Sequence, residues 1–201
     1  MDWTIRPEHA QALNPATIFD VGVHKGTAPL YQAFPKAYFV LVEPLRENRR
    51  AIKEILRHQR GEHVEAAAGS RLGTATINVE PQQRAKSSFL SRAMSTASGD
   101  ATEPREVQIL TLDGIARDKS LSAPYGLKID TEGFEMEVLA GAVEILESCQ
   151  FVITETSIGE RFEGSTYQAS DLLSALREHG FSVFDVLGAT RRYADLLFMR
   201  A

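Results

Sequence analysis

Cysteine is all but missing from this sequence. Cys149 is the only one in 201 residues, so no internal disulfide and no cysteine-built metal cage can form. A lone thiol fits a reducing compartment, and a cytoplasmic location is expected. Long apolar runs are missing too. No stretch of roughly 18 apolar residues occurs, which leaves no candidate transmembrane helix and no expected membrane partner. The opening Met1-Asp2-Trp3-Thr4-Ile5-Arg6-Pro7-Glu8 lacks the basic and apolar regions of a signal peptide. There is no basic surplus either. The net charge is -5, which argues against a nucleic-acid partner. Arg46, Arg49, Arg50, Lys53, Arg57 and Arg60 do cluster, but Glu47 and Glu54 interrupt them, as on a solvated helix face. His9, His58, His63 and His179 show no metal-ligand spacing. What is present is the profile of a globular protein, 43% hydrophobic and 24% charged. Its length suits one domain or two small ones.

Strand-like apolar runs alternate with helix-periodic runs. The expected strands lie at 18–22, 38–43, 64–68, 73–79, 107–110, 127–130, 151–156, 181–187 and 194–199. The expected helices lie at 27–34, with Thr27 as N-cap, at 45–59, at 134–147, and from 170 to a cap at Gly180. The run 38–43 is apolar on both faces, as a buried parallel strand should be. The last two strands are joined too closely for a crossover helix and should form an antiparallel hairpin. The pattern predicts an α/β doubly wound sheet with helices on both faces. One stretch, 80–106, is rich in Ser, Gln, Thr and Arg. It reads as a lid or substrate-recognition insertion, or else as a partly disordered surface loop. Core elements running from Ile18 to Met199 imply a single domain over 1–201, preceded by a short N-terminal segment, 1–17.

Asp20-Val21-Gly22-Val23-His24-Lys25-Gly26 closes the first strand and opens a helix. In open α/β sheets, ligands sit at such strand ends near the switch in strand order. Glycine lets a ligand approach the backbone closely. Glu43 ends the next strand about 20 residues on, where a carboxylate can accept both ribose hydroxyls. The combination points to a nucleoside cofactor. The third glycine of a dinucleotide fingerprint is missing, and Asp20 would repel a pyrophosphate. A cofactor carrying an ammonium and a sulfonium fits better, and S-adenosylmethionine is such a ligand. The bland alternative is that Asp20 caps the turn and the glycines are ordinary turn residues.

The densest chemistry is Lys128-Ile129-Asp130-Thr131-Glu132-Gly133-Phe134-Glu135. Alternation along a strand lets Lys128, Asp130 and Glu132 share one side. Thr154-Glu155-Thr156 ends the neighbouring strand. Ionisable groups converging on one rim suggest catalysis. Glu135 and Glu137 read more simply, as acids favourable to a helix N-terminus.

These segments resemble the FkbM family of S-adenosylmethionine-dependent methyltransferases. The family pattern is present in order as Asp20 to Gly26, Glu43-Pro44, Ser87-Ser88-Phe89-Leu90, Thr111-Leu112-Asp113, and Lys128 through Gly141, with Thr154-Glu155 beyond. His24 stands where the family usually has asparagine, and Glu65-Ala66-Ala67 departs from its usual asparagine. The resemblance implies the class I, Rossmann-like methyltransferase fold, a seven-stranded, mostly parallel sheet ending in an antiparallel hairpin. It also implies methyl transfer, usually to oxygen, on a small molecule, sugar or natural product. On this reading Asp20, Gly22 and Gly26 hold the methionine end of the cofactor, and His24 contacts either the cofactor's methionine carboxylate or the substrate. Glu43 and Pro44 take the ribose, and Ala66 and Ala67 flank the adenine. Asp130 is the expected base or substrate orienter, tuned by Lys128 or Glu132, and Ser87, Ser88 and Glu155 face substrate. A divalent metal on Asp130 and Glu155 is an alternative, without an obvious third ligand. A nicotinamide-dependent oxidoreductase and a non-catalytic cofactor-binding module are the other classes. A homo-oligomer is compatible with the sequence.

Overall fold

The computed structural model describes residues 4–80, 87–89, 91–92, 103–158, 162–163 and 167–200. In chain order the elements are α1 (Pro7–Gln11), β1 (Thr17–Val21), α2 (Ala28–Ala33), β2 (Tyr38–Val42), α3 (Arg49–His58), β3 (Gly61–Val64), β4 (Ala67–Ala68), β5 (Gly73–Val79), β6 (Ser91–Arg92), β7 (Glu103–Leu110), α4 (Leu112–Asp118), β8 (Tyr125–Ile129), α5 (Glu135–Ala140), α6 (Val143–Glu147), β9 (Cys149–Ser157), β10 (Phe162–Glu163), α7 (Ala169–Glu178), β11 (Phe181–Ala189) and β12 (Tyr193–Arg200).

Every residue of β1 is buried, which requires cover on both faces of the sheet. The main sheet has seven strands in the order β11-β12-β9-β8-β1-β2-β3. β1, β2, β3, β8 and β9 run parallel, and β12 is antiparallel to both β9 and β11. Alternate side chains feed two cores. Ile18, Phe39, Leu41, Phe151 and Ile153 pack with Leu30, Tyr31 and Ile52 on one face. Phe19, Val40, Leu127, Ile129 and Val152 pack with Ile115, Val138, Leu146 and Leu172 on the other. The strand order reverses at β1, which has β2 on one side and β8 on the other. That is where a ligand crevice is expected.

Several boundaries differ from the sequence reading. The expected strand 64–68 divides: Gly61–Val64 closes the main sheet, while Ala67–Ala68 joins a smaller sheet, β4-β7-β5. β7 begins at Glu103, so the last residues of the expected insertion pair with β5. The expected helix 134–147 breaks into α5 and α6 at Gly141-Ala142. A Cβ on Gly141 would lie 2.0 Å from the Gly69 carbonyl oxygen, so the chain turns where two backbones touch. Asp113 then caps the second helix, accepting from Glu144 N at 3.1 Å and Ile145 N at 2.9 Å. Thr27 occupies the N-cap position of α2 without making a cap bond; its hydroxyl is taken by Asp20.

The segment before β1 carries a short helix, α1, that the sequence reading missed. Arg6 binds Asp185 of β11 through two hydrogen bonds. Among the described residues, no helix is long and apolar enough to cross a membrane. Residues 81–86, 90 and 93–102 of the expected lid, and Trp3, lie outside the described residues.

Candidate active site

The ends of β1 and β2 and the residues just after β8 line a small cavity of about 60 Å³, at the strand ends where open α/β sheets bind ligands. Its rim starts with the glycine loop. Gly22 has φ +77°, its N–H donates to the Val42 carbonyl at 3.0 Å, and its carbonyl accepts from Lys128 Nζ at 3.3 Å. His24 follows at φ +46°, a left-handed position where histidine, like asparagine, is found more often than most side chains.

Glu43, 5% exposed, lies on the cavity wall. Its Oε2 accepts from His24 N at 2.9 Å and its Oε1 from Leu45 N at 2.9 Å. Burial pushes its carboxyl above the ordinary range, and the N–H groups of Leu45 and His24 oppose that rise. Glu43 thus clips the glycine loop to the end of β2. A carboxylate has roughly four acceptor sites, so capacity for ligand hydroxyls is left.

Asp20 does not reach the cavity. It is fully buried and turned toward α2, where Tyr31 Oη donates at 2.6 Å and Thr27 Oγ1 at 3.3 Å. Lys128 Nζ lies 3.3 Å from Asp20 Oδ1 and 3.5 Å from Asp130 Oδ2. Burial works against the Lys128 charge, but the two carboxylates outweigh it and raise its pKa. Burial and the Asp20 charge together hold the Tyr31 hydroxyl protonated far above the ordinary tyrosine range. One ammonium therefore links the glycine loop, the buried Asp20 and the rim carboxylate Asp130.

Asp130, Thr131 and Glu132 line the opposite wall. Glu132 arrives there through a left-handed turn, with φ +55°, and not by strand alternation, because β8 ends at Ile129. Asp130, Glu132 and Glu155 each offer a carboxylate oxygen within 4.8 Å of the others. Glu132 is thus grouped with Asp130 and Glu155 as the third acid that the metal alternative lacked in the sequence. Such a group can accept a proton or draw in a positive charge.

The remaining expected residues fall in different places. Pro44, Ala67 and Ser87 line the cavity. Ala66 is buried in the core beneath, and its neighbour Ala68 lines the cavity instead. Gly26 does not line it; with φ +100° it packs against Ile55 and Tyr31. Ser88 braces the site from behind: its Oγ donates to the Glu132 carbonyl at 2.6 Å, and its backbone exchanges two bonds with Asn78. Ile77, Phe89 and Thr131 were not singled out from sequence, yet they line the cavity. Phe89 also sits against Phe134, with ring centroids 4.5 Å apart. Tyr31 could have been found: it lies one helical turn beyond Thr27, so both face the same strand end.

A family model described as the methyltransferase FkbM domain matches residues 20–183. No curated protein matches the chain in sequence. Among solved structures, fibrillarin from Aeropyrum pernix, determined with natively bound S-adenosyl-L-methionine, is similar at 12% identity and a TM-score of 0.51, over 92% of this chain and 66% of that one. Magnesium protoporphyrin IX methyltransferase from Synechocystis PCC 6803, with bound SAM, is similar at 11% identity and a TM-score of 0.47, over 97% of this chain and 76% of that one. At 12% identity the fibrillarin likeness speaks for the fold alone.

Proposed function

This chain belongs to the FkbM methyltransferase family, and from that premise we propose that it uses S-adenosylmethionine to methylate a hydroxyl oxygen of a small molecule, sugar or natural product. The observation that carries this reading is the cavity at the β1, β2 and β8 ends, walled by Gly22 and Glu43 on one side and by Asp130 and Glu132 on the other. Glu43 offers acceptors for ribose hydroxyls, and Gly22 and His24 stand beside it on the cavity lining. Ala67, Ala68 and Ile77 give the cavity an apolar slot suited to a base. The buried Asp20 supports the loop from below.

S-adenosylmethionine, when bound, supplies an activated methyl on a sulfonium. The chain's own task is to hold the acceptor oxygen in line and take its proton. Asp130 is the proton acceptor in this reading, with Lys128 holding its carboxylate in place. Glu132 and Glu155 orient the acceptor hydroxyl and keep the wall negative toward a positively charged cofactor. A second reading, with a divalent cation held by Asp130, Glu132 and Glu155, is favoured by their clustering. Dialysis against EDTA tests it: activity unchanged by chelation removes it.

Calorimetric titration with S-adenosylhomocysteine and, separately, NAD tests the cofactor. Binding of the first and not the second is expected. The reverse result makes the chain a nicotinamide enzyme. Transfer of labelled methyl to a panel of hydroxylated acceptors then separates an enzyme from a binding module that kept the pocket.

A further inference from the structure

Glu135 is nearly buried, at 2% exposed. As the first residue of α5 it could have served its helix alone, yet its carboxylate turns back to the preceding residues. Oε1 accepts from Thr131 N, Thr131 Oγ1 and Gly133 N, each at 3.1 Å. Oε2 accepts from Gly133 N at 3.1 Å and from the Tyr167 hydroxyl. The turn held in this way is contorted. Glu132 has φ +55° and Gly133 +102°, two successive left-handed residues, of which only the glycine adopts that region readily. Backbone held in a sparsely populated region beside a ligand cavity is maintained by its surroundings.

The turn is gripped from the other side as well, through Ser88 Oγ to the Glu132 carbonyl and through Phe89 against Phe134. The chain that carries Ser88 continues into β6, which pairs with β10, and Tyr167 follows β10. The wall turn is thus held from one side by Ser88 and Phe89 and from the other by Glu135, which Tyr167 in turn holds.

We propose that Glu135 is a positioning residue: it clamps the 131–133 turn so that Asp130, Thr131 and Glu132 present a preformed wall, and the Tyr167 hydroxyl steadies that clamp. The inference rests on the cofactor reading above and extends it to residues that touch neither cofactor nor acceptor. It gives Glu135 a role in shaping the site, where sequence offered only an acid at a helix N-terminus.

S-adenosylhomocysteine is the probe, titrated calorimetrically into the full chain at a temperature where circular dichroism shows each variant folded. Glu135→Ala strips four acceptor contacts from the turn and is expected to weaken binding by about tenfold or more. Glu135→Gln keeps one carbonyl acceptor and should recover part of that loss. Tyr167→Phe removes one hydroxyl and should weaken binding by about threefold. Glu147→Gln, a charge removed at an exposed position of α6, serves as the control and should change nothing. In ¹H–¹⁵N spectra the Thr131 and Gly133 amides should move in Glu135→Gln, an effect that a general loss of stability does not produce. Binding unchanged within twofold in a folded Glu135→Ala overturns the inference. If that variant fails to fold, unchanged binding in Tyr167→Phe together with unmoved Gly133 in Glu135→Gln overturns it. A wild-type chain that does not bind S-adenosylhomocysteine overturns the cofactor reading and takes this inference with it.

Discussion

Gly22 and Asp130 meet backbone to backbone: a Cβ built on Gly22 would lie 1.9 Å from the Asp130 carbonyl oxygen. The glycine loop and the acidic wall are thus one packed unit, joined additionally by Asp130 N donating to Val21 O at 3.0 Å. Gly22→Ala adds both that clash and a left-handed alanine, the latter alone worth about 1 kcal/mol. The expected result is a lowered Tm and loss of S-adenosylhomocysteine binding. Gly73→Ala is the matched comparison, since nothing lies within 4 Å of its added Cβ, and it should leave both unchanged. A Gly22→Ala chain with wild-type melting and binding would contradict the close approach.

Lys128→Met tests the buried ion pair. Removing one partner strands Asp20, which is fully buried, and such losses cost on the order of 3–5 kcal/mol. Adding Asp20→Asn to Lys128→Met should restore part of it, so the double variant loses less than the sum of the singles. The sign of the pH dependence follows from the raised Lys128 pKa. A lysine whose pKa is raised by folding contributes stability that is fully present below the ordinary value of 10.5 and is lost only as pH climbs through the higher folded value. Denaturant melts at pH 7 and pH 9 should therefore show the same gap between wild type and Lys128→Met. A gap that closes by pH 9 would refute the charge-pair account.

Much of this layout was legible in sequence because burial on both faces leaves a strong mark. The runs that became β1, β2 and β8 are mostly apolar, interrupted chiefly by Asp20 and Lys128, and end in Gly22, Glu43 and Asp130, so the strand ends and their chemistry could be read together. Orientation was less legible for the same reason. In a strand covered on both sides, Asp20 is equally compatible with either face, and only the partners Tyr31, Thr27 and Lys128 decide which. The shift from Ala66 to Ala68 on the cavity wall has a similar origin. Three consecutive alanines carry no periodicity, so nothing marked where β3 ended and β4 began. Glu135 was undervalued because its partners, Thr131, Gly133 and Tyr167, are set by a left-handed turn and a distant segment.

Glu43 should impose a pH dependence on binding. Burial raises its pKa above the ordinary 4.5, so the folded protein protonates this group earlier on acidification than the unfolded chain does. Its favourable contribution to stability is therefore present below 4.5 and is lost as pH rises through the folded value. Binding has the opposite preference, because ribose hydroxyls donate best to the charged form. S-adenosylhomocysteine affinity is expected to fall on acidification, starting above pH 4.5. Glu43→Gln should bind more weakly at neutral pH, because its amide nitrogen faces a backbone N–H, and should lack this component of the pH profile. Calorimetry from about pH 4 to 8 on both proteins, over the range in which circular dichroism shows them folded, makes the comparison. Parallel profiles would remove Glu43 from the binding site.

Asp130 is the residue on which binding and turnover should separate. Its carboxylate is partly exposed on the cavity wall, held by Lys128 at 3.5 Å and grouped with Glu132 and Glu155. Asp130→Asn keeps the shape and an acceptor oxygen but removes the basic group. A general base contributes about 10²–10⁴-fold to rate, so methyl transfer to any acceptor the wild type accepts should fall by that order. S-adenosylhomocysteine affinity should stay within about threefold, because Gly22, Glu43 and the apolar slot are untouched. Glu155→Gln should produce a smaller rate loss with a raised acceptor KM, as expected of a group that orients the hydroxyl without taking its proton. Undiminished turnover in Asp130→Asn would transfer the base role to Glu132, and Glu132→Gln would then carry the large loss. A collapse of cofactor binding in Asp130→Asn would mean that the Lys128 bridge, and not proton transfer, is what Asp130 supplies.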